Sequence, residues 1–172
     1  MIRVANGEDV HQIAETHVAS WRTTYIGQVP QSYLDELSVP KREAAWTEVL
    51  AMPDHRVLVA EIDKKIVGFS SFGPSRDLDA SPGIVELYTI YLIEAHKGQG
   101  LGKELWDQTR DLMQQLGYTE ATLWVLSTNK QARDFYQKVG FVLDGKEKKD
   151  TIGGQEVNEL RYRLTEFLGR LL

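Results

Sequence analysis

The chain has 172 residues, 42% of them hydrophobic and 26% charged, the size and balance of one globular domain over residues 1–172. It contains no cysteine, which excludes disulfides, thiolate nucleophiles and thiolate-held metal, and no metal is expected. A formal net charge of −5 argues against a nucleic-acid partner, which favours a basic face, and mildly favours a cationic substrate.

The opening MIRVANGEDV lacks the basic-then-apolar layout of an export signal. No apolar run approaches the roughly 20 residues of a membrane-spanning helix, so a cytoplasmic protein with no membrane partner is expected. Ile2–Ala5 reads as a short strand. Asn6 can cap a helix whose Val10, Ile13, Ala14, His17, Val18 and Trp21 recur at helical spacing, broken by Gly27 and Pro30. A second helix should open near Pro40 and stop before Pro53. Arg56–Ile62 and Ile66–Phe72 read as strands joined by a turn at Asp63–Lys65, followed by a loop over Arg76–Gly83. Ile84–Ile93 is apolar on both alternating faces. Ile84, Tyr88, Ile90 and Leu92 fall on one, and Val85, Leu87, Tyr91 and Ile93 on the other, the pattern of a strand covered on both sides. Gly98, Gly100 and Gly102 follow. Leu101, Leu105, Thr109, Leu112 and Leu116 then line one face of a helix that Gly117 would end. Ala121–Leu126 is a further strand. Thr128 and Gln131 fit a capping box for a short helix ending at Gly140. Phe141–Leu143 begins a strand, Gly153–Gly154 turns it, and Val157–Leu164 returns. The fold class is therefore mixed α/β, with a mostly antiparallel central sheet flanked by helices. Asp144, Asp150 and Glu156 flank the last hairpin and read as solvated.

The glycine turn carries the chemistry. An apolar strand, a polar turn and alternating glycines before a helix leave backbone N–H groups uncovered at the positive end of a helix dipole. That arrangement holds an anion, naturally a pyrophosphate. A Walker loop would need G-x-x-x-x-G-K-[ST]. Lys103 follows Gly102, but Glu104 stands where Ser or Thr must hold Mg²⁺ and the first glycine is misplaced. A dinucleotide fold would need G-x-G-x-x-G near the start and an acid about 20 residues on, whereas here the spacing is G-x-G-x-G after hairpin-like strands. The third reading is coenzyme A, and it rests on a resemblance. The segment Lys97-Gly98-Gln99-Gly100-Leu101-Gly102 resembles the phosphate loop of the Gcn5-related N-acetyltransferase superfamily, Gln/Arg-x-x-Gly-x-Gly/Ala, with Lys97 in place of the usual Gln or Arg. Asn129-Lys130-Gln131-Ala132 through Phe135-Tyr136 to Gly140-Phe141 resembles that superfamily's second signature, N-x-x-A-x-x-F-Y-x-x-x-G-F. The resemblance spans Arg56 to Leu164.

The resemblance implies an acetyl-CoA-dependent N-acetyltransferase acting directly on a primary amine of a small molecule, a polyamine or a peptide N-terminus, on a sheet with a splayed strand pair. It implies that the amides of Lys97, Gly98, Gln99, Gly100, Leu101, Gly102 and Lys103 surround the pyrophosphate. The backbone of Ile90, Tyr91 and Leu92 would pair with the pantetheine arm and polarise the thioester carbonyl, and Asn129 would bond the arm from the other side. Tyr136 would protonate the leaving thiolate, since a phenol near pKa 10 stays protonated beside a thiol near 8.5. On the helix alone, Tyr136 reads first as a packing aromatic beside Phe135, and it is the second signature that reverses this. Glu86, the only charged residue from Ile84 through Ile93, is the candidate general base, because apolar surroundings raise a carboxyl's pKa. The other reading of Glu86 is a strand-end carboxylate bonded to a nearby Arg or Lys. Trp21, Tyr25 and Tyr33 are candidate acceptor-pocket residues, as a wall or through cation–π attraction, although Trp21 equally finishes the first helix's apolar face. Phe167, Leu168, Leu171 and Leu172 could dock on the domain or on a second copy, and relatives in this superfamily are often homodimers. A different acyl donor, an idle coenzyme-A-binding regulatory module and an interaction protein with a tight glycine turn are the alternatives.

Overall fold

The computed structural model describes residues 1–167. Strand β1 (Ile2–Val4) leads through a 3-10 turn at Gly7–Asp9 into α1 (Val10–Thr24). Asn6 caps the 3-10 turn that precedes α1 rather than α1 itself, its Oδ1 accepting from the Glu8 amide while the Asp9 carboxylate accepts from the Asn6 amide, both at 2.8 Å. A five-residue helix not expected from the sequence, α2 (Gln31–Asp35), starts at Pro30. Helix α3 (Val39–Ala51) follows, with Ser38 Oγ accepting from the Lys41 amide and Pro40 in its first turn. Strands β2 (Arg56–Ile62) and β3 (Lys65–Pro74) form a hairpin. Asp63 and Lys64 both have positive φ, 50° and 65°, the backbone of the tight turn that matches strand twist.

Next come β4 (Ile84–Leu92), α4 (Leu101–Gln115), β5 (Glu120–Leu126), α5 (Lys130–Lys138), β6 (Val142–Ile152) and β7 (Gln155–Leu164). The seven strands form one mixed sheet in the order β1-β2-β3-β4-β5-β7-β6. All neighbours are antiparallel except β4 and β5, which are parallel. The β4–β5 ladder holds for only three residue pairs, Ile84 with Glu120 through Glu86 with Thr122. Beyond them the two strands part, as expected for a splayed pair.

Inside β4 the alternation differs from the expected one. Ser71 pairs with Thr89 but Phe72 pairs with Leu87, so Tyr88 is an extra, bulged residue. The bulge reverses which face each later side chain takes. Val85, Leu87 and also Ile90 face the core formed with Leu105, Trp106 and Met113 of α4. Tyr91 instead joins the opposite side, with Trp46 and Phe69. On α4 the buried residues are Leu105, Trp106, Thr109 and Met113, whereas Leu116 at the helix end is 45% exposed. The cap of α5 is Asn129 rather than Thr128. Asn129 Oδ1 accepts from the Ala132 amide at 3.2 Å, while Thr128 donates to Gln28 Oε1. Asp144 is not solvated, because it accepts from Arg161 Nε at 2.6 Å and Arg163 Nε at 3.4 Å. Phe167 is buried in the α4-side core, while Leu168, Leu171 and Leu172 lie outside the described residues. Among the described residues no helix is long and apolar enough to cross a membrane.

Candidate functional site

The parting of β4 and β5 opens a cavity of roughly 640 Å³. Tyr88 to Leu92 form one wall and Trp124 to Leu126 the other; Ala132, Phe135 and Tyr136 of α5 and Trp21 and Tyr25 of α1 complete it. Past the third pair of the ladder, the backbone of β4 facing β5 has no strand partner among the described residues. A polar backbone edge inside a protein calls for a partner, and an extended molecule carrying amides fits it.

The glycine turn meets one end of this cavity. Gly98 and Gly100 have φ of 73° and 85°, a left-handed backbone that other residues adopt only at a cost. A Cβ on either would meet no atom within 4 Å, so it is this backbone conformation that calls for glycine. Gly100 is the N-cap of α4 and no side chain caps that helix. The N–H groups from Gly98 through Lys103 donate to no acceptor among the described residues. Lys97, Lys103 and Lys138 line the cavity. Lys97 Nζ lies 2.9 Å from Glu94 and 3.4 Å from Thr24 Oγ1, so this side chain spans from the turn to α1. Gln99 and Leu101 do not line the cavity; their amides belong to the same unbonded row.

Helix α5 supplies Asn129 and Tyr136. Asn129 is 5% exposed; with its Oδ1 committed to the cap, its Nδ2 donors are what it can offer a ligand. The Tyr136 ring packs against Phe135 and Phe141 at centroid distances of 5.7 and 5.9 Å. Its hydroxyl has no hydrogen-bond partner among the described residues, although the residue lines the cavity. Burial pushes this phenol well above the ordinary tyrosine value. Tyr136 is thus a packed ring with an unpaired O–H at the cavity.

Trp21 and Tyr25 line the cavity. Their rings lie 4.5 Å apart, and the Tyr25 hydroxyl bonds that of Tyr91 at 2.8 Å. Burial raises the pKa of both phenols, so both stay protonated. Tyr33 does not line the cavity; it packs on the β6–β7 turn, where a Cβ on Gly153 would come within 2.7 Å of its own. Glu86 is 1% exposed, yet its surroundings are not apolar. Its carboxylate accepts from the Arg76 amide and Nε, each at 3.1 Å, and from Arg76 Nη2. This is the arginine-bonded reading of Glu86, and its side chain is not part of the cavity wall. Arg76 extends over the Tyr88 ring, 4.6 Å from its centroid, at the cavity rim.

Among the cavity residues that the sequence reading did not single out for the site are Lys138, Trp124 and Glu159. Trp124 on β5 donates its indole N–H to Asp77 at 3.0 Å. Glu159 on β7 shares a face with Val157 and Arg161, and burial raises its carboxyl above the usual value. Charged residues alternating with an apolar one inside a strand were the available signal.

A family model described as the Acetyltransferase (GNAT) family matches residues 16–141. The uncharacterized N-acetyltransferase YuaI of Bacillus subtilis (strain 168) is 37% identical over 138 residues, covering 79% of this chain and 76% of its own. The L-amino acid N-acyltransferase MnaT of Escherichia coli (strain K12) is 28% identical over 142 residues, with 83% and 79% covered. The crystal structure of the PaiA N-acetyltransferase of Thermoplasma acidophilum in complex with coenzyme A shares the fold. It superimposes with a TM-score of 0.74 at 24% identity, over 92% of this chain and 96% of that one.

Proposed function

The chain belongs to the acetyltransferase (GNAT) family and is an N-acetyltransferase, and from that premise we propose that it transfers acetyl from acetyl-CoA directly to the primary amine of a small molecule, a polyamine or a peptide N-terminus. The observation that carries this reading is the row of unbonded amides from Gly98 to Lys103 at the mouth of an opened sheet. Bound acetyl-CoA supplies the acyl group as a thioester. The amides and the nearby Lys97, Lys103 and Lys138 hold the diphosphate. The unpaired backbone of Ile90, Tyr91 and Leu92 and the Nδ2 of Asn129 hold the arm. An amide at Ile90–Tyr91 draws charge onto the acyl oxygen as the amine attacks. Tyr136 gives its proton to the departing sulfur, and Glu86 takes one from the amine through water, since its carboxylate has no direct face on the cavity.

Acetyl-CoA titrated calorimetrically should bind with one-to-one stoichiometry. Thiol release should then follow with at least one member of a panel of L-amino acids, polyamines, drug-like amines and short peptides. L-amino acids come first in that panel because MnaT is named for them. Failure to bind acetyl-CoA overturns the reading; binding without turnover across the panel leaves the idle-module alternative. Glu86→Gln should lower turnover about tenfold near pH 7. The deficit should shrink toward pH 9, where more of an amine of pKa near 10.4 is already neutral. A pH–rate profile matching wild type removes Glu86 from the proton path.

A further inference from the structure

One of the protein's own cations rests against two residues of the cavity wall. Lys148 lies opposite Glu159 in the β6–β7 ladder. Its ammonium sits 4.2 Å from the centroid of the Trp124 ring and 3.7 Å from Glu159 Oε2. Trp124 and Glu159 both line the cavity, and the proposed hold on the coenzyme uses neither. The indole is fixed in place through its N–H to Asp77, which Arg161 also bonds at 3.1 Å. The Glu159 side chain is 18% exposed, whereas that of Lys148 is 44% exposed. The carboxylate and the ring thus belong to the wall, and the lysine reaches over them from a strand at the sheet edge.

We propose that Trp124 and Glu159 form the subsite for the acceptor's ammonium, and that Lys148 occupies it until an acceptor displaces it. An aromatic face and a carboxylate are the two groups that recognise an alkylammonium most directly. Exchanging one primary ammonium for another leaves the carboxylate paired throughout, so entry of the acceptor leaves no buried charge bare. The charged groups facing Glu159 are Lys148 and Asp150 from β6 and Arg76 from the loop before β4, with the Tyr25 phenol from α1. Burial raises the Glu159 carboxyl and the two cations oppose that rise. The substrate class that follows is a primary amine that arrives protonated. This deepens the amine-acceptor reading above and rests on it.

The test uses n-butylammonium chloride as the probe and the indole N–H resonance of Trp124 as the readout, so that it needs neither turnover nor coenzyme. The wild-type protein should give a saturable shift that n-butanol, of the same shape but neutral, does not reproduce. Glu159→Gln should weaken the probe about 10- to 100-fold, and Lys148→Met should tighten it several-fold by removing the competitor. Calorimetric affinity for acetyl-CoA should stay within about twofold in both variants. No saturable shift in the wild type, or equal probe affinity in all three proteins, overturns the subsite. Loss of acetyl-CoA binding in the wild type overturns the transferase reading instead and leaves the probe result to stand alone.

Discussion

Tyr136→Phe is expected to lower turnover by about 10- to 1000-fold while leaving acetyl-CoA affinity within a few-fold. The substitution removes one oxygen and keeps the ring that packs between Phe135 and Phe141. The hydroxyl has no partner among the described residues, so its loss leaves no buried group unpaired and the fold should keep its stability. Burial holds the phenol protonated far above neutral pH, as a proton donor must be. The same dry surroundings raise a departing thiolate's affinity for a proton, because they penalise that charge as well. The deficit should therefore persist across pH 6 to 9, with steady-state turnover and coenzyme titration measured side by side. Unchanged turnover over that range would leave Tyr136 with its packing role alone.

The double variant Gly98→Val/Gly100→Val should weaken acetyl-CoA binding by about 100-fold or more. Each position has a left-handed backbone, at φ of 73° and 85°, where a non-glycine residue costs about 1–3 kcal/mol and a β-branched one is among the worst. No atom stands within 4 Å of either added Cβ, so crowding contributes nothing and the loop escapes its strain by turning. Turning redirects the amides of Gly98 through Lys103 away from their common focus. Calorimetric titration reads the loss, and an unchanged far-ultraviolet circular dichroism spectrum shows that the sheet survives. Retained affinity would mean that the diphosphate is held by side chains, with Lys97, Lys103 and Lys138 the first to substitute.

Much of this site is legible in the chain itself because its parts are local. The run from Ile84 to Leu92, the glycines and the capped helix at Asn129 are each written within about a dozen residues, and their order places an anion site beside a strand. The parts that escaped are long-range or depend on a single inserted residue. The bulge at Tyr88 leaves a two-residue periodicity that still reads as regular on paper, yet it puts Ile90 on the side of Val85 and Leu87 and takes Tyr91 away from it. Thr128 and Asn129 are both good capping residues, and local chemistry does not choose between them. Arg76 lies in a loop whose path is set by Arg161, which takes Asp77 and Asp79 from that loop and Asp144 from β6. The Arg76–Glu86 pair could be framed as one of two readings, but the arginine could not be named. Glu159 and Trp124 come together only because β5 and β7 are neighbours, which neither strand announces.

The opened seam also bears on how the protein avoids its own kind. A sheet edge with unpaired amides is a template for any passing strand, and cells contain many. Of the two outer margins, β1 is three residues long and β6 carries Lys146, Lys148 and Lys149, so both discourage lateral growth. The third exposed margin, between β4 and β5, lies at the centre of the sheet with helices α1 and α5 beside it. It is therefore not laid open along the outside of the sheet as β1 and β6 are. The unpaired backbone of β4 is thereby set inside the sheet, away from the outer margins where a further strand would add.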